Sequence, residues 1–329
     1  MLQPPPALVD PFGRAISYLR FSVTDRCDLR CAYCMPAEFD DYETPDNWLQ
    51  FDEIISLSRI FVGLGVTRIR LTGGEPLVRA RFAELTAGIA GIPGLRDLSV
   101  STNGTRLAGL AQRLKQSGVS RLNVSLDTLS RQRFAQLTRR DALPDVLAGL
   151  EVARDAGFQP IKINMVWLPG VNQDELDAMI EYCMARGFIL RLIENMPMGD
   201  AARALGTSTL QPLIAQLRER FGLIDHVIPG GGPARYLASP DLSFSIGFIT
   251  PMSQHFCEAC NRVRLSVTGT LHLCLGQEDR LELLPFLRNG ASDREIVEQI
   301  RAAVMRKPEK HDFQDRPEKI IRIMASTGG

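Results

Sequence analysis

ISYLRFSVTDRCDLRCAYC, residues 16–34, sets a strand-like run against a loop dense in thiols. Ile16 to Val23 alternates loosely between apolar and polar residues, the pattern of a half-buried strand. The run delivers Cys27, Cys31 and Cys34, separated by three and then two residues. Disulfides between neighbours this close would be strained, and soft thiolates suit iron–sulfur clusters or zinc. A structural zinc site takes four protein ligands, yet the next histidine is His226. A cubane cluster on three cysteines instead keeps one iron open to a further ligand. A zinc knuckle, or incidental thiols, is the alternative reading of the same spacing.

Beyond the loop a pattern repeats. Phe51 to Gly65 has helical spacing (Ile54, Ile55, Leu57, Ile60, Phe61, Leu64), acids in its first turn and a glycine stop. Strands are expected at 66–71, 95–101, 121–127, 161–166 and 188–194, with helices at 79–90, 106–117, 143–156 and 173–186 between them. Six strands alternating with helices imply right-handed β/α units and a parallel sheet. Spacing alone fits a partial barrel and an open doubly wound sheet equally. A full eight-unit barrel would need two more repeats.

The length of 329 residues suits about two domains, or one barrel with an extension. The chain carries 38 basic and 38 acidic residues, which counts against a nucleic-acid binder held by bulk charge. No run approaches the roughly 18 apolar residues of a membrane span. MLQPPPALVD lacks a basic segment followed by an apolar one, so no signal peptide is expected, and the first dozen residues read as a loose Pro-rich arm. The seven cysteines fall as three, one and three, a distribution that points to metal in a reducing cytoplasm. Cys183 stands among Leu176, Met179, Ile180 and Met184 at helical spacing and reads as core.

Polar residues that break the apolar pattern gather near the expected strand ends: Thr72–Glu75, Ser101–Asn103, Ser125–Asp127, Lys162–Asn164 and Glu194–Met196. In β/α barrels that face carries the active site. TGGEP, residues 72–76, lets backbone approach a ligand closely. Arg68 and Arg70 are two apart and share a strand face; with Arg20 and Lys162 they are either inward cations awaiting an anion or ordinary ion-paired residues.

A second thiol group lies downstream. Cys257 and Cys260 are followed, after thirteen residues, by Cys274. The intervening NRVRLSVTGTLHLCL reads as a hairpin turning at Thr268-Gly269. Arg262 and Arg264 project from one face of it. His255 or His272 would complete a zinc site here, so zinc stands beside an iron–sulfur cluster as a reading. PGGGP at 229–233 marks a boundary, giving domains 1–230 and 231–329.

CxxxCxxC with Tyr33 before the last cysteine, followed by GGEP, resembles the radical S-adenosylmethionine (SAM) enzymes. The resemblance favours a (β/α)6 partial TIM-type barrel with a C-terminal α+β extension. With the CxxCxRxR hairpin, the third cysteine and the terminal Gly328-Gly329, nearly the whole chain resembles the GTP 3′,8-cyclase family of molybdenum cofactor biosynthesis. That resemblance implies two 4Fe–4S clusters, one on Cys27, Cys31 and Cys34 that cleaves SAM, and one on Cys257, Cys260 and Cys274 that binds GTP. It implies that Tyr33, Gly74, Ser125 and Met196 line the SAM site, although Met196 also suits core filler and Ser125 a strand cap. It further implies GTP contacts from Arg20, Arg68, Arg70, Ser101, Lys162, Arg262, Val263 and Arg264, and an active-site role for Gly328 and Gly329. The residues before those glycines are Ala325-Ser326-Thr327, where the family leads one to expect isoleucine. The implied partners are a low-potential electron donor, a second copy in a homodimer and, downstream, the cyclic pyranopterin monophosphate synthase. The rival readings are another radical SAM enzyme with an auxiliary cluster and a zinc-binding module without catalysis.

Overall fold

In the computed structural model of this chain the described residues are 7–228, 232–316, 318, 320, 322 and 324–327. The expected β/α alternation is present. Its strands are β1 (Tyr18–Ser22), β2 (Arg68–Thr72), β3 (Asp97–Thr102), β4 (Arg121–Ser125), β5 (Lys162–Trp167) and β6 (Ile189–Glu194). The helices between them are α1 (Phe51–Gly63), α2 (Phe82–Ala90), α3 (Leu107–Gln116), α4 (Arg131–Thr138), α5 (Leu143–Asp155) and α6 (Leu176–Arg186). The six strands pair in parallel, in sequence order. This is the partial barrel core.

Alternation decides which side chains meet the helices. Leu19 and Phe21 of β1 and Ile69 and Leu71 of β2 are fully buried on the helix side, in one continuous core with Ile54, Leu57 and Phe61 of α1. Burying each such side chain contributes about 1.5–3 kcal/mol. A capping box between Gln50 and Glu53 starts α1, the Gln50 amide donating to Glu53 Oε2 at 2.7 Å. Cys183 is fully buried in the same core. The opposite strand faces, with Arg20, Arg70, Ser101 and Ser125, turn to the concave side.

The chain after α6 and β6 does not form a separate layer. It adds β7 (Ile224–His226), β8 (Arg235–Ala238), β9 (Ser245–Ile249), β10 (Arg262–Leu265), β11 (Thr270–His272) and β12 (Arg280–Glu282) to the same sheet. The order is β12-β11-β10-β1-β2-β3-β4-β5-β6-β9-β8-β7. β10 lies parallel to β1 and β9 parallel to β6, so both edges of the barrel core are covered by later chain. The expected arm is not loose from Leu8 onward: Leu8 is buried and its amide donates to Leu64 O at 3.0 Å. Among the described residues no helix is long and apolar enough to cross a membrane.

Candidate active site

The loop of Cys27, Cys31 and Cys34 leaves β1 and is tied to the end of α4. Arg30 and Ala32 amides donate to Thr138 O and Leu137 O at 2.9 and 2.8 Å. Within the loop the Cys34 amide donates to Cys31 O at 2.9 Å. Asp28 is held outside it by Asn103 Nδ2 at 2.8 Å and Thr105 Oγ1 at 2.7 Å. Burial pushes the Cys27 thiol up to about 12, with the nearby Glu75 carboxylate adding to the effect. Burial also holds Cys31 well above the usual thiol range. Such thiols ionise on binding a metal centre that replaces the lost hydration.

Gly73 and Gly74 run along the strand-one exit. The Gly74 amide donates to Thr24 O and the Glu75 amide to Arg26 O, both at 2.8 Å. A Cβ on Gly74 would collide with the Arg26 carbonyl and lie 2.7 Å from Asp25 O. Only glycine fits, because the backbones are already in contact. Glu75 turns inward and accepts from the Leu77 amide at 3.0 Å and Thr102 Oγ1 at 2.7 Å; burial pushes it up to about 7. Replacing Gly74 with alanine is therefore expected to displace residues 72–75 and, on the expectation that this loop lines a SAM site, to weaken SAM binding at least tenfold. Equilibrium dialysis with labelled SAM checks this.

Tyr33 Oη donates to Asp127 Oδ2 at 2.6 Å, and Asp127 Oδ1 accepts from the Val166 amide at 2.8 Å. This chain of bonds locks the aromatic ring between the cysteine loop and the end of β4. Ser125 is accessible at the same end, and Met196 packs beside Met198 and Phe313.

Deeper in the concavity the wall is basic. Arg264, Arg20 and Arg70 are cross-strand neighbours on β10, β1 and β2. Burial pushes Arg264 down to about 9, with Arg262 and Arg322 repelling it further. Arg20 is lowered by burial and then by Arg264 and Arg70. Arg191 was not anticipated from the sequence. It is 3% exposed, donates to Asn123 Oδ1 at 2.6 Å, and keeps a buried Nε without a hydrogen-bond partner. Asn164 Oδ1, its cross-strand neighbour, is likewise orphaned. Crowded cations and an orphaned guanidinium N–H fit a bound polyanion, while the Asn164 oxygen is an acceptor and suits a donor group of a ligand.

The second thiol group sits across the concavity. The Cys260 amide donates to Cys257 O at 3.0 Å, and the β10–β11 hairpin, with Arg264 opposite His272, brings Cys274 back to them. Neither candidate histidine completes a fourth ligand in a simple way. His255 is exposed against His311, and His272 Nδ1 is 2.7 Å from Arg322 Nη1. Burial, followed by Arg322 and Arg264, pushes His272 down to about 3.

All six of these cysteines line one cavity, together with Tyr33, Gly74, Ser125, Met196, Arg20, Arg70, Ser101, Arg262, Val263 and Arg264. Val263 contributes backbone, since its side chain is buried on the helix side. Arg68 and Lys162 face the concave side but do not line the cavity. Arg68 pairs in register with Tyr18 and Asp97 at the start of β2, and Lys162 opens β5 opposite Asn123. Lys162 therefore stands at the foot of its strand and not at its end, with Nζ 5.3 Å from the Tyr236 ring centre; burial and then Arg191 push it down to about 7. Gly328 and Gly329 lie outside the described residues. Asn103, from the expected strand-end run Ser101–Asn103, lines the cavity, as do Lys307 and Phe256, which carried no signal in the sequence beyond their residue types.

Residues 21–183 match the family model for the radical SAM superfamily, and residues 188–313 match the model for molybdenum cofactor synthesis, C-terminal. The curated relative named GTP 3′,8-cyclase 2 from Pseudomonas aeruginosa is 45% identical over 327 residues, covering 98% of each chain. The GTP 3′,8-cyclase of Paracoccus denitrificans is 46% identical, covering 98% of this chain and 96% of that protein. Among solved structures, SuiB of Streptococcus suis bound to S-adenosylmethionine superposes with a TM-score of 0.60 at 12% identity, covering 83% of this chain and 64% of that one. This last likeness is one of fold.

Proposed function

The chain belongs to the GTP 3′,8-cyclase family, radical SAM lyases of molybdenum cofactor synthesis, and from that premise we propose how its residues divide the work. Cys27, Cys31 and Cys34 hold the SAM-cleaving 4Fe–4S cluster, and Cys257, Cys260 and Cys274 hold a second. The donor sets fit: each is a trio of free cysteines, and soft thiolates suit iron–sulfur centres. When bound, the first cluster and SAM supply a one-electron cleavage that furnishes the hydrogen-abstracting agent.

The residues of the chain position the reactants. Gly74 offers backbone to the amino-acid end of SAM, while Tyr33, Ser125 and Met196 flank its nucleoside. Arg20, Arg70, Ser101, Arg262 and Arg264 hold GTP, with Val263 backbone beside them; Arg68 and Lys162 add charge from the foot of the barrel. Holding both reactants between two fixed ends presents one ribose carbon for abstraction and brings it close to carbon 8 of the base. The product is (8S)-3′,8-cyclo-7,8-dihydroguanosine 5′-triphosphate. Gly328 and Gly329 close the site; support comes from Met324, which lines the cavity, and from Thr327, which is 1% exposed.

The proposal extends to a division into domains 1–230 and 231–329, a cytoplasmic location, a homodimer, a low-potential donor and hand-over to the cyclic pyranopterin monophosphate synthase. The observation that carries the reading is that both cysteine trios face one cavity. Anaerobic reconstitution tests it: roughly eight irons and eight sulfides per chain are expected. One zinc at the second trio contradicts it. Replacing Arg264 with alanine removes a charge-assisted contact of about 1.5–3 kcal/mol, so Kd for GTP should rise about 10- to 100-fold with SAM affinity unchanged. Calorimetric titration with each ligand reads the difference.

A further inference from the structure

Lys307 is 3% exposed, an unusual depth for an ammonium. Its Nζ donates to Arg262 O at 3.0 Å and to Leu273 O. Those carbonyls belong to the two arms of the hairpin that carries Cys260 and Cys274. Among the described residues Lys307 makes no ion pair with a carboxylate, and it lines the cavity beside the second cysteine trio. An ammonium has three donors, so two carbonyls leave one for the cavity side. Burying such a charge costs several kcal/mol unless an opposite charge meets it.

The two trios sit in fields of opposite sign. At the first, the neighbouring charged side chains are the carboxyls Glu75, Asp28 and Asp127. At the second, the Lys307 ammonium is a neighbour of all three cysteines. Arg14 also braces this region, donating to Cys257 O at 2.8 Å and Glu309 O at 2.7 Å, but its charge is already met by Asp10 at 2.5 Å, which leaves Lys307, of the two, as the cation without a carboxylate partner among the described residues.

We propose that Lys307 is the charge-compensating and positioning residue of the second thiol site, bracing its hairpin and stabilising an anionic metal–sulfur centre there. This rests on the reading that the second trio holds a cluster. A cubane on three thiolates is anionic in its working states and more so after accepting an electron, so a buried cation beside it raises the reduction potential. The role acts through the centre, and its signature is a potential.

The test uses the full chain with Cys27, Cys31 and Cys34 replaced by alanine, so that only the second site loads. Iron is counted and the midpoint potential is followed by electron paramagnetic resonance, for Lys307, Lys307→Gln and Lys307→Arg. Glutamine keeps donors for the two carbonyls and loses the charge; arginine keeps both. The expected result is a more negative potential in Lys307→Gln, with faster iron loss to a chelator, and a potential near the parent's in Lys307→Arg. Failure of Lys307→Gln to load while Lys307→Arg loads also supports the charge. An unchanged potential in Lys307→Gln overturns the inference, as do equal shifts or equal failures in both variants. If the parent itself takes up zinc or no iron, the two-cluster reading fails, and that outcome is visible before any variant is compared.

Discussion

A chain ending at Thr327, without Gly328 and Gly329, is expected to lose cyclised nucleotide altogether while still forming 5′-deoxyadenosine. The tail that delivers those glycines is fastened at several points. Ile320 is buried with Met198 and Phe313. Arg322 donates to Glu278 Oε1 at 2.9 Å and Leu275 O at 3.2 Å, and it meets His272, the cross-strand neighbour of Arg264. Met324 then reaches the cavity wall. Among the described residues of this segment, Ile320, Arg322 and Met324 are thus packed or bonded, and Thr327 is buried. The loops proposed to bind SAM lie on the barrel side and keep their own contacts, so SAM cleavage is expected to continue uncoupled. Chromatography of both products checks this, and an unchanged yield of cyclised nucleotide contradicts it.

Replacing Cys31 with alanine is expected to end both SAM cleavage and cyclisation. A cluster on two thiolates lacks a third anchor, and no spare His or Cys stands in the 16–34 segment beyond Cys27 and Cys34. On the proposed two-cluster content, iron should fall by roughly half, about four of about eight irons being assigned to that site. The fold should persist. The loop's backbone bonds to Leu137 O and Thr138 O do not involve the thiol, and loss of a part-buried sulfur sits within the ~0.5–3 kcal/mol of ordinary substitutions. Circular dichroism separates a folded, inactive chain from an unfolded one. Residual 5′-deoxyadenosine above background contradicts the assignment of Cys31.

The barrel core was legible because each of its strands is a short apolar run bounded by a helical repeat. α4 was not, since RQRFAQLT offers only Phe134 and Leu137 to the core. That omission mattered: α4 is what grips the cysteine loop. β9 was not read, and β10, though expected as one arm of the hairpin with β11, gave no sign of its second partner. Their partners, β6 and β1, lie about 50 and more than 200 residues away in sequence, and such register is a tertiary fact.

Strand alternation put Arg68 and Arg70 on one face but left open whether they, with Arg20 and Lys162, point inward; in the structure these positions are on the concave side. Alternation gave no height along the barrel, which depends on stagger between strands. Arg68 and Lys162 consequently stand below the cavity. Arg191 had a readable signal that went unused, a lone guanidinium inside the apolar run FILRLIE. Lys307 had none, lying in a stretch with Arg306 and Lys310 that reads as solvated surface.

The central claim is that one chamber holds two reactants end to end so that a single ribose hydrogen is taken. Anaerobic incubation of the reconstituted chain with SAM, a reductant and GTP deuterated at ribose carbon 3′ tests it most directly, by mass spectrometry of 5′-deoxyadenosine. The account expects deuterium in 5′-deoxyadenosine, formed together with the cyclised nucleotide. Unlabelled 5′-deoxyadenosine accompanied by cyclised nucleotide, or label transfer without any cyclised nucleotide, would contradict it.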